Sequence, residues 1–180
     1  MITERETIHK LNDLSEENLQ LGLMAKLLYC YGRKLEEVMT LTWSENVDLN
    51  LENIVFNVHV YSDVYRLPFK VRGFERSVLN ELHILEDLQE YQRQSQGDYL
   101  FFDSSSKDSK KRTLQMFLKK HGLSANALRK MRGVHLYWKG VNIETIQSLY
   151  THNEKSTTMR YLGLKKEDLV LDTNFIICTF

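Results

Sequence analysis

One change of period organises this chain. On either side of residues 53–67 the apolar residues recur at helical spacing. Inside it, Asn53-Ile54-Val55-Phe56-Asn57-Val58-His59-Val60-Tyr61 is dominated by β-branched and apolar residues, the composition of a strand. Ser62-Asp63 supplies a turn and Val64-Tyr65-Arg66-Leu67 returns. Pro68, the single proline, is expected to close the second strand, because it cannot donate to a hydrogen-bond ladder. A short first strand is expected near Val47. A hairpin set into an otherwise helical chain of 180 residues predicts a mostly α protein with a small antiparallel β-sheet (α+β), a single domain over residues 1–180.

The helices announce themselves by caps and stripes. Thr3-Glu4-Arg5-Glu6 is a capping box, so a helix starts near Glu4. Ser15 is expected to cap a second helix, whose Leu19, Leu21, Leu23, Met24, Leu27, Leu28 and Tyr31 leave little polar face, as burial requires. Gly32 can end it in a left-handed conformation. A short helix is expected over 34–41 and longer ones over 76–94, 110–121, 125–139, 143–150 and 155–161. A Ser-rich loop is expected over 103–109. Trp43 and Trp138 read as core anchors. Cys30 reads as a small buried hydrophobe. His9, His59, His83 and His121 have no ligand spacing, and His135 reads as structural.

The formal charge is zero, yet its distribution is uneven. Residues 104–140 carry ten Lys or Arg against Asp108 alone, a net +9, and the rest of the chain carries −9. A basic third of this kind suits a polyphosphate partner, although a solvated helix face has the same composition. The two cysteines, Cys30 and Cys178, lie far apart and suit neither a disulfide framework nor a cysteine zinc site. No apolar run is long enough for a bilayer, and MITERETIHK lacks the apolar segment of a signal peptide. A cytoplasmic protein with no membrane partner is the expectation.

Four pieces of the sequence resemble the catalytic domain of tyrosine recombinases, the phage integrase family. Tyr31-Gly32-Arg33-Lys34-Leu35-Glu36-Glu37-Val38-Met39-Thr40-Leu41-Thr42-Trp43 is similar to the family's TGLRISELLSLKW segment. The hairpin follows it. Asn126-Ala127-Leu128-Arg129 stands where the family has His-x-x-Arg, and Gly140-Val141 where it has GV between helices. Ile146-Gln147-Ser148-Leu149-Tyr150-Thr151-His152, then Ser156-Thr157-Thr158-Met159-Arg160-Tyr161, resembles IQELLGH…STTxxY. The 23 residues from Arg129 to His152 and the nine from His152 to Tyr161 are family intervals. The resemblance runs from Thr3 to about Gly163.

The resemblance implies a chemistry. In this family a tyrosine attacks a DNA phosphate and forms a 3′-phosphotyrosyl link, with no metal or cofactor. Two arginines and a histidine steady the extra charge of the transition state as pre-placed donors. A lysine at the hairpin turn protonates the leaving oxygen. By position Tyr161 is the nucleophile, Arg129 the second arginine and His152 the late histidine. Three places depart. The first arginine falls on Lys34, which keeps the charge and loses the bidentate fork. Arg33 is adjacent, but one residue along a helix turns a side chain by about 100°. The histidine of His-x-x-Arg falls on Asn126, which donates a hydrogen bond but transfers no proton at neutral pH. The turn has Ser62-Asp63, and no lysine occurs between Val47 and Phe69.

Two functions follow from those departures. One is a protein that binds double-stranded DNA and regulates a prophage or mobile element, with strand exchange lost or impaired. Its DNA contacts would be Lys34, Lys107, Lys110, Lys111, Arg112, Arg129, Lys130 and Arg132. The other is an active recombinase in which Lys34 replaces the first arginine and Lys107 or Lys110 supplies the acid. A helical protein-interaction module is disfavoured by the clustered charge. The resemblance begins where the family's second domain begins, so the chain reads as an excised C-terminal piece or a minimal version. Its last residues, Asn174-Phe175-Ile176-Ile177-Cys178-Thr179-Phe180, suggest that a tail over 164–180 docks in an apolar groove, in cis or on a second copy.

Overall fold

A computed structural model describes residues 2–60, 63–70, 80–102 and 107–164. The chain divides into two compact units, one up to Arg132 and one from Gly133 onward. Each has its own apolar core.

The first unit opens with α1 (Glu4–Glu17) and α2 (Leu19–Cys30). Thr3 and Glu6 form the expected capping box: the Thr3 amide donates to the Glu6 carboxylate at 2.7 Å, and the Thr3 hydroxyl accepts from the Glu6 amide at 3.2 Å. Ser15 caps nothing. α1 runs through it, and Asn18 alone joins the two helices, its side-chain oxygen accepting from the Leu21 amide at 2.9 Å. The reason is packing. A Cβ added to Gly22 would lie 2.4 Å from the Ser15 Cα, so α2 crosses α1 nearly in backbone contact, with Ser15 inside.

Beyond Gly32, which adopts φ +58°, come α3 (Leu35–Met39) and α4 (Trp43–Asn46). The sheet is β1 (Val47–Asp48), β2 (Asn53–Val60) and β3 (Asp63–Lys70), antiparallel in the order β1-β2-β3. The short first strand is therefore present, pairing Val47 with Ile54. Pro68 does not close the hairpin. It sits inside β3 opposite Val55, where an edge strand tolerates a missing amide hydrogen. Ile54, Phe56 and Val58 point into the core, where Tyr31, Phe56 and Phe69 gather with ring centroids 5.2–5.7 Å apart. Asn46 is buried and joins α4 to the sheet, donating to the Val55 carbonyl at 2.6 Å.

The part of the expected 76–94 helix that falls on 76–79 lies outside the described residues, as does the turn residue Ser62. Within the described part the helix breaks at Leu82–His83. His83 takes φ +51°, and α5 (Ile84–Gln94) starts after it. α5 docks on α2 through a 2.6 Å ion pair between Asp87 and the buried Lys26. Residues 98–102 bridge back to 41–43: the Trp43 amide donates to the Asp98 carbonyl and the Leu100 amide to that of Leu41. α6 (Lys107–Lys120) begins three residues before the expected start.

α7 (Ala125–Trp138) contains the division between the units. The second unit continues with α8 (Ile143–Tyr150), capped by Asn142, and α9 (Lys155–Leu162), ended by Gly163 at φ +79°. Val134, Leu136, Ile143, Ile146, Tyr150, Met159 and Leu162 form its core. Trp138 is not a core anchor. Burial along α7 ends at Leu136, and the indole lies beyond it, 59% exposed, beside the His135 ring. Among the described residues no helix is long and apolar enough to cross a membrane. The tail over 165–180 and the loop over 103–106 lie outside the described residues.

Candidate nucleic-acid interface

In the first unit the geometry is set at the start of α3. Lys34 is its N-cap residue, and its amide donates to the Glu37 carboxylate at 2.9 Å. The two adjacent cations then part company. Arg33 turns inward and is 1% exposed, donating through Nε to the Tyr31 carbonyl at 3.1 Å, with its guanidinium over the Phe69 ring. Glu37 lies 3.9 Å from it. Lys34 turns outward into an open cleft of about 630 Å³.

The cleft is walled by α3, α6 and the start of α7. Lys34, Glu36, Lys111, Gln115, Lys119, Asn126 and Arg129 line it. Lys111, Gln115 and Lys119 recur every four residues, so they share one face of α6. Ser124 opens α7, its hydroxyl accepting from the Ala127 amide at 3.1 Å. One turn on, Arg129 is largely buried, so its guanidinium is held by surrounding protein rather than waving in solvent. Lys111 pairs with Glu36 at 2.7 Å. The Glu36 hydrogen bond, and then its charge, raise the Lys111 ammonium above its ordinary pKa. Four cations and two amide side chains around one cleft can hold phosphate oxygens.

In the second unit His152, Tyr161 and Tyr150 meet as three mutually contacting rings. His152 and Tyr161 centroids are 5.5 Å apart, and Tyr150 is 5.4 Å from each. Thr151 takes φ +55° to turn the chain out of α8, and the Gln147 amide holds the turn by donating to the carbonyls of His152 and Asn153. His152 Nδ1 lies 3.0 Å from the buried Thr158 hydroxyl, a hydrogen bond whose direction follows the imidazole tautomer. Tyr161 is only partly buried and Tyr150 fully so.

Of the cations expected to touch DNA, Lys34, Lys111 and Arg129 share the cleft with Asn126. Lys110, Arg112 and Lys130 are exposed, Lys110 with its ammonium 5.1 Å above the Phe102 ring. The Lys107 side chain lies outside what is described. Arg132 is no surface cation. It is 5% exposed and donates to the Cys30 carbonyl at 3.2 Å and to Glu4 at 3.3 Å, with its guanidinium over Tyr29. Three residues past Arg129, it follows the inward face of α7. At the hairpin turn, Asp63, Val64 and Tyr65 bring no basic group, and Arg66 is tied to the Glu45 carbonyl at 2.8 Å. Lys70 pairs with Asn53, at the far end of the ladder. Sequence reasoning did not single out Gln115, Lys119, Glu36 or Tyr150. The four-residue spacing on α6 was the available signal for the first two.

This architecture is that of the tyrosine recombinase catalytic domain. XerA recombinase matches it over all of this chain and 66% of its own, with a TM-score of 0.68 and 18% identity. The catalytic domain of bacteriophage HP1 integrase matches over 97% of this chain and 94% of its own, with a TM-score of 0.61 and 18% identity. The Tn1549 transposon integrase, solved with transposon right end DNA, has a TM-score of 0.62 at 12% identity, over 99% of this chain and 66% of its own. Residues 2–168 match the phage integrase family, and the chain belongs to it. The tyrosine recombinase XerA of Pyrococcus furiosus is 26% identical over 179 residues, 93% of this chain. The chain spans 58% of that relative's length.

Proposed function

We propose that this chain binds duplex DNA through its phosphate backbone and has weak or no strand-exchange chemistry, acting as a regulator within a prophage or mobile element. It would work in the cytoplasm, at the nucleoid. The observation that carries the reading is the cleft of the first unit. Lys34, Lys111, Lys119 and Arg129 supply positive charge there, and the sequence resemblance sets Lys34 and Asn126 against the family's first arginine and its His-x-x-Arg histidine, donors suited to transition-state work. Loss of one such donor lowers a rate by roughly 10²–10³. The exposed Lys110, Arg112 and Lys130 extend the basic surface. Structural neighbours solved with DNA, the Tn1549 integrase and the XerH recombinase, support the choice of partner.

A salt series of band shifts on short duplexes tests the binding. Four phosphate contacts give a log–log slope of about −3 to −4. Affinity indifferent to salt overturns the reading. Incubation with a nicked duplex followed by denaturing gels tests the chemistry. A Tyr161-dependent covalent adduct in high yield overturns the non-catalytic half.

That adduct is the outcome of the second reading, an active recombinase. The contact between His152 and the partly exposed Tyr161 favours it. Lys34 would then replace the first arginine, and Lys107 or Lys110 would act as the acid. In either case the tail over 164–180 would dock in cis or on a second copy. Sedimentation of a chain ending at Asp172 tests that, with unchanged mass and stability removing the idea.

A further inference from the structure

Among the described residues, the cationic cleft has one acid on its lining. Glu36 stands two residues after Lys34, on α3, and lines the same space as Lys34, Lys119, Asn126 and Arg129. Its carboxylate meets the Lys111 ammonium at 2.7 Å, joining the α3 wall to the α6 wall. The acid does not act as a core brace, because its side chain is 58% exposed and that of Lys111 is 38% exposed. Helix capping is not its task either, since Glu37 fills the capping box of α3. A carboxylate hydrogen-bonded to a cleft lysine occupies the position a phosphate oxygen would take.

We infer that Glu36 is an internal competitor for the phosphate site, holding Lys111 until a nucleic-acid backbone displaces it. The inference rests on the cleft being the DNA-binding surface. It is a specificity device. A lone phosphate offers Lys111 one replacement for the carboxylate it already has. A duplex strand offers a row of phosphates, engaging Lys34, Lys119 and Arg129 together while it displaces Glu36. The cleft therefore favours continuous polyanion over small anions, and its affinity for DNA is set below what its cations allow.

Band shifts with a short duplex at about 0.1 M salt test this, where charges more than about 10 Å apart are largely screened. Glu36→Gln is expected to bind about two- to fivefold more tightly, the range set by an exposed ion pair. Its log–log salt slope should stay that of the parent, because Lys111 contacts phosphate in both bound complexes and only the cost of displacing Glu36 is gone. Adding Lys111→Gln should erase the gain. Lys34→Gln and Lys119→Gln should each weaken binding. Thermal melts establish that the variants are folded, and a Glu36→Ala variant repeats the measurement if Glu36→Gln is not.

If Lys34→Gln and Lys119→Gln weaken binding while neither Glu36 variant strengthens it, the cleft is the DNA surface and the competitor role is overturned. If none of these variants changes binding, the DNA reading of the cleft falls, and the role of Glu36 with it.

Discussion

The imidazole of His152 meets the ring of Tyr161 edge-on, with centroids 5.5 Å apart and planes at 76°. Gln147 fixes the turn before the imidazole, the Thr158 hydroxyl fixes one ring nitrogen, and the fully buried Tyr150 backs both rings. The second unit therefore carries a histidine–tyrosine pair in ring contact, while Lys34 and Asn126 line the cleft of the first unit.

The proposed loss of strand exchange predicts that the chemistry can be restored. Replacing Lys34 by Arg and Asn126 by His returns a bidentate donor and a proton-transferring ring. The double variant should form a Tyr161-linked DNA adduct at least about 10² faster than the starting protein, from the usual worth of a pre-placed donor. The two effects will not simply multiply. Initial rates on denaturing gels check it, and Tyr161→Phe must abolish the product.

Tyr150 depends on a residue without a side chain. A Cβ on Gly133 would lie 2.3 Å from the Tyr150 hydroxyl oxygen and 2.7 Å from a Leu162 methyl. Gly133→Ala should destabilise the protein by about 1–3 kcal/mol, as overpacking does. Urea melts measure this. Gly22→Ala should cost more, because its Cβ meets the Ser15 backbone, which cannot swing aside as a side chain can.

Arg132 and Lys130 should separate folding from binding. Arg132→Ala leaves the Cys30 carbonyl and Glu4 without their guanidinium and empties a buried place. It should cost about 2–4 kcal/mol of stability. Lys130→Ala should leave the melting curve unchanged and lower the salt slope of DNA binding by about one. Equal thermal effects of the two would contradict the burial assigned here.

The Lys26–Asp87 pair should behave asymmetrically. Lys26 is 1% exposed, so Asp87→Ala strands a buried ammonium and should cost about 3 kcal/mol. Lys26→Met replaces the charge by an apolar chain of similar length and should stay within about 1 kcal/mol of the parent. Chemical denaturation of both variants tells them apart.

Stability should fall at both ends of the pH range, for opposite reasons. Burial pushes the Tyr29 and Tyr31 phenols well above their ordinary pKa. They favour the fold below the unfolded value of about 10, and that contribution is lost as pH rises beyond it. Hydrogen bonds from Lys120 to Glu17 and from Lys155 to Glu144 hold those carboxyls below the usual range. Their smaller contribution is present above the unfolded pKa of about 4.3 and is lost as pH falls through the depressed values. Melting temperature against pH, with tyrosinate absorbance followed alongside, checks both limbs. Phenols that ionise near 10 in the folded protein would contradict the burial.

Most of the helical plan was legible because each element carries its own local signal. Thr3 and Glu6 announce α1, and Gly32 marks the stop after α2. The hairpin was legible from its composition, but its length was not. Pro68 forbids a central strand and permits an edge one, and only the sheet order decides between them. Ser15 misled for a related reason: its affinity for a cap lost to the close crossing at Gly22, a contact between helices rather than a property of either. Trp138 and Arg132 misled in opposite directions. A large aromatic was expected inside and a cation outside, and their positions along α7 overruled both preferences.

The sequence by itself determined the order and the intervals of Lys34, Asn126, Arg129, His152 and Tyr161 along the chain. Those are facts of covalent order, and covalent order is what a motif records. Only the tertiary structure decided which charges are available. Arg33 and Lys34 are neighbours in the chain, yet one is spent beneath Phe69 and the other faces the cleft. Lys111 and Glu36 are 75 residues apart, yet they pair. Charge acts through space over a few ångströms, and only folding sets distances on that scale.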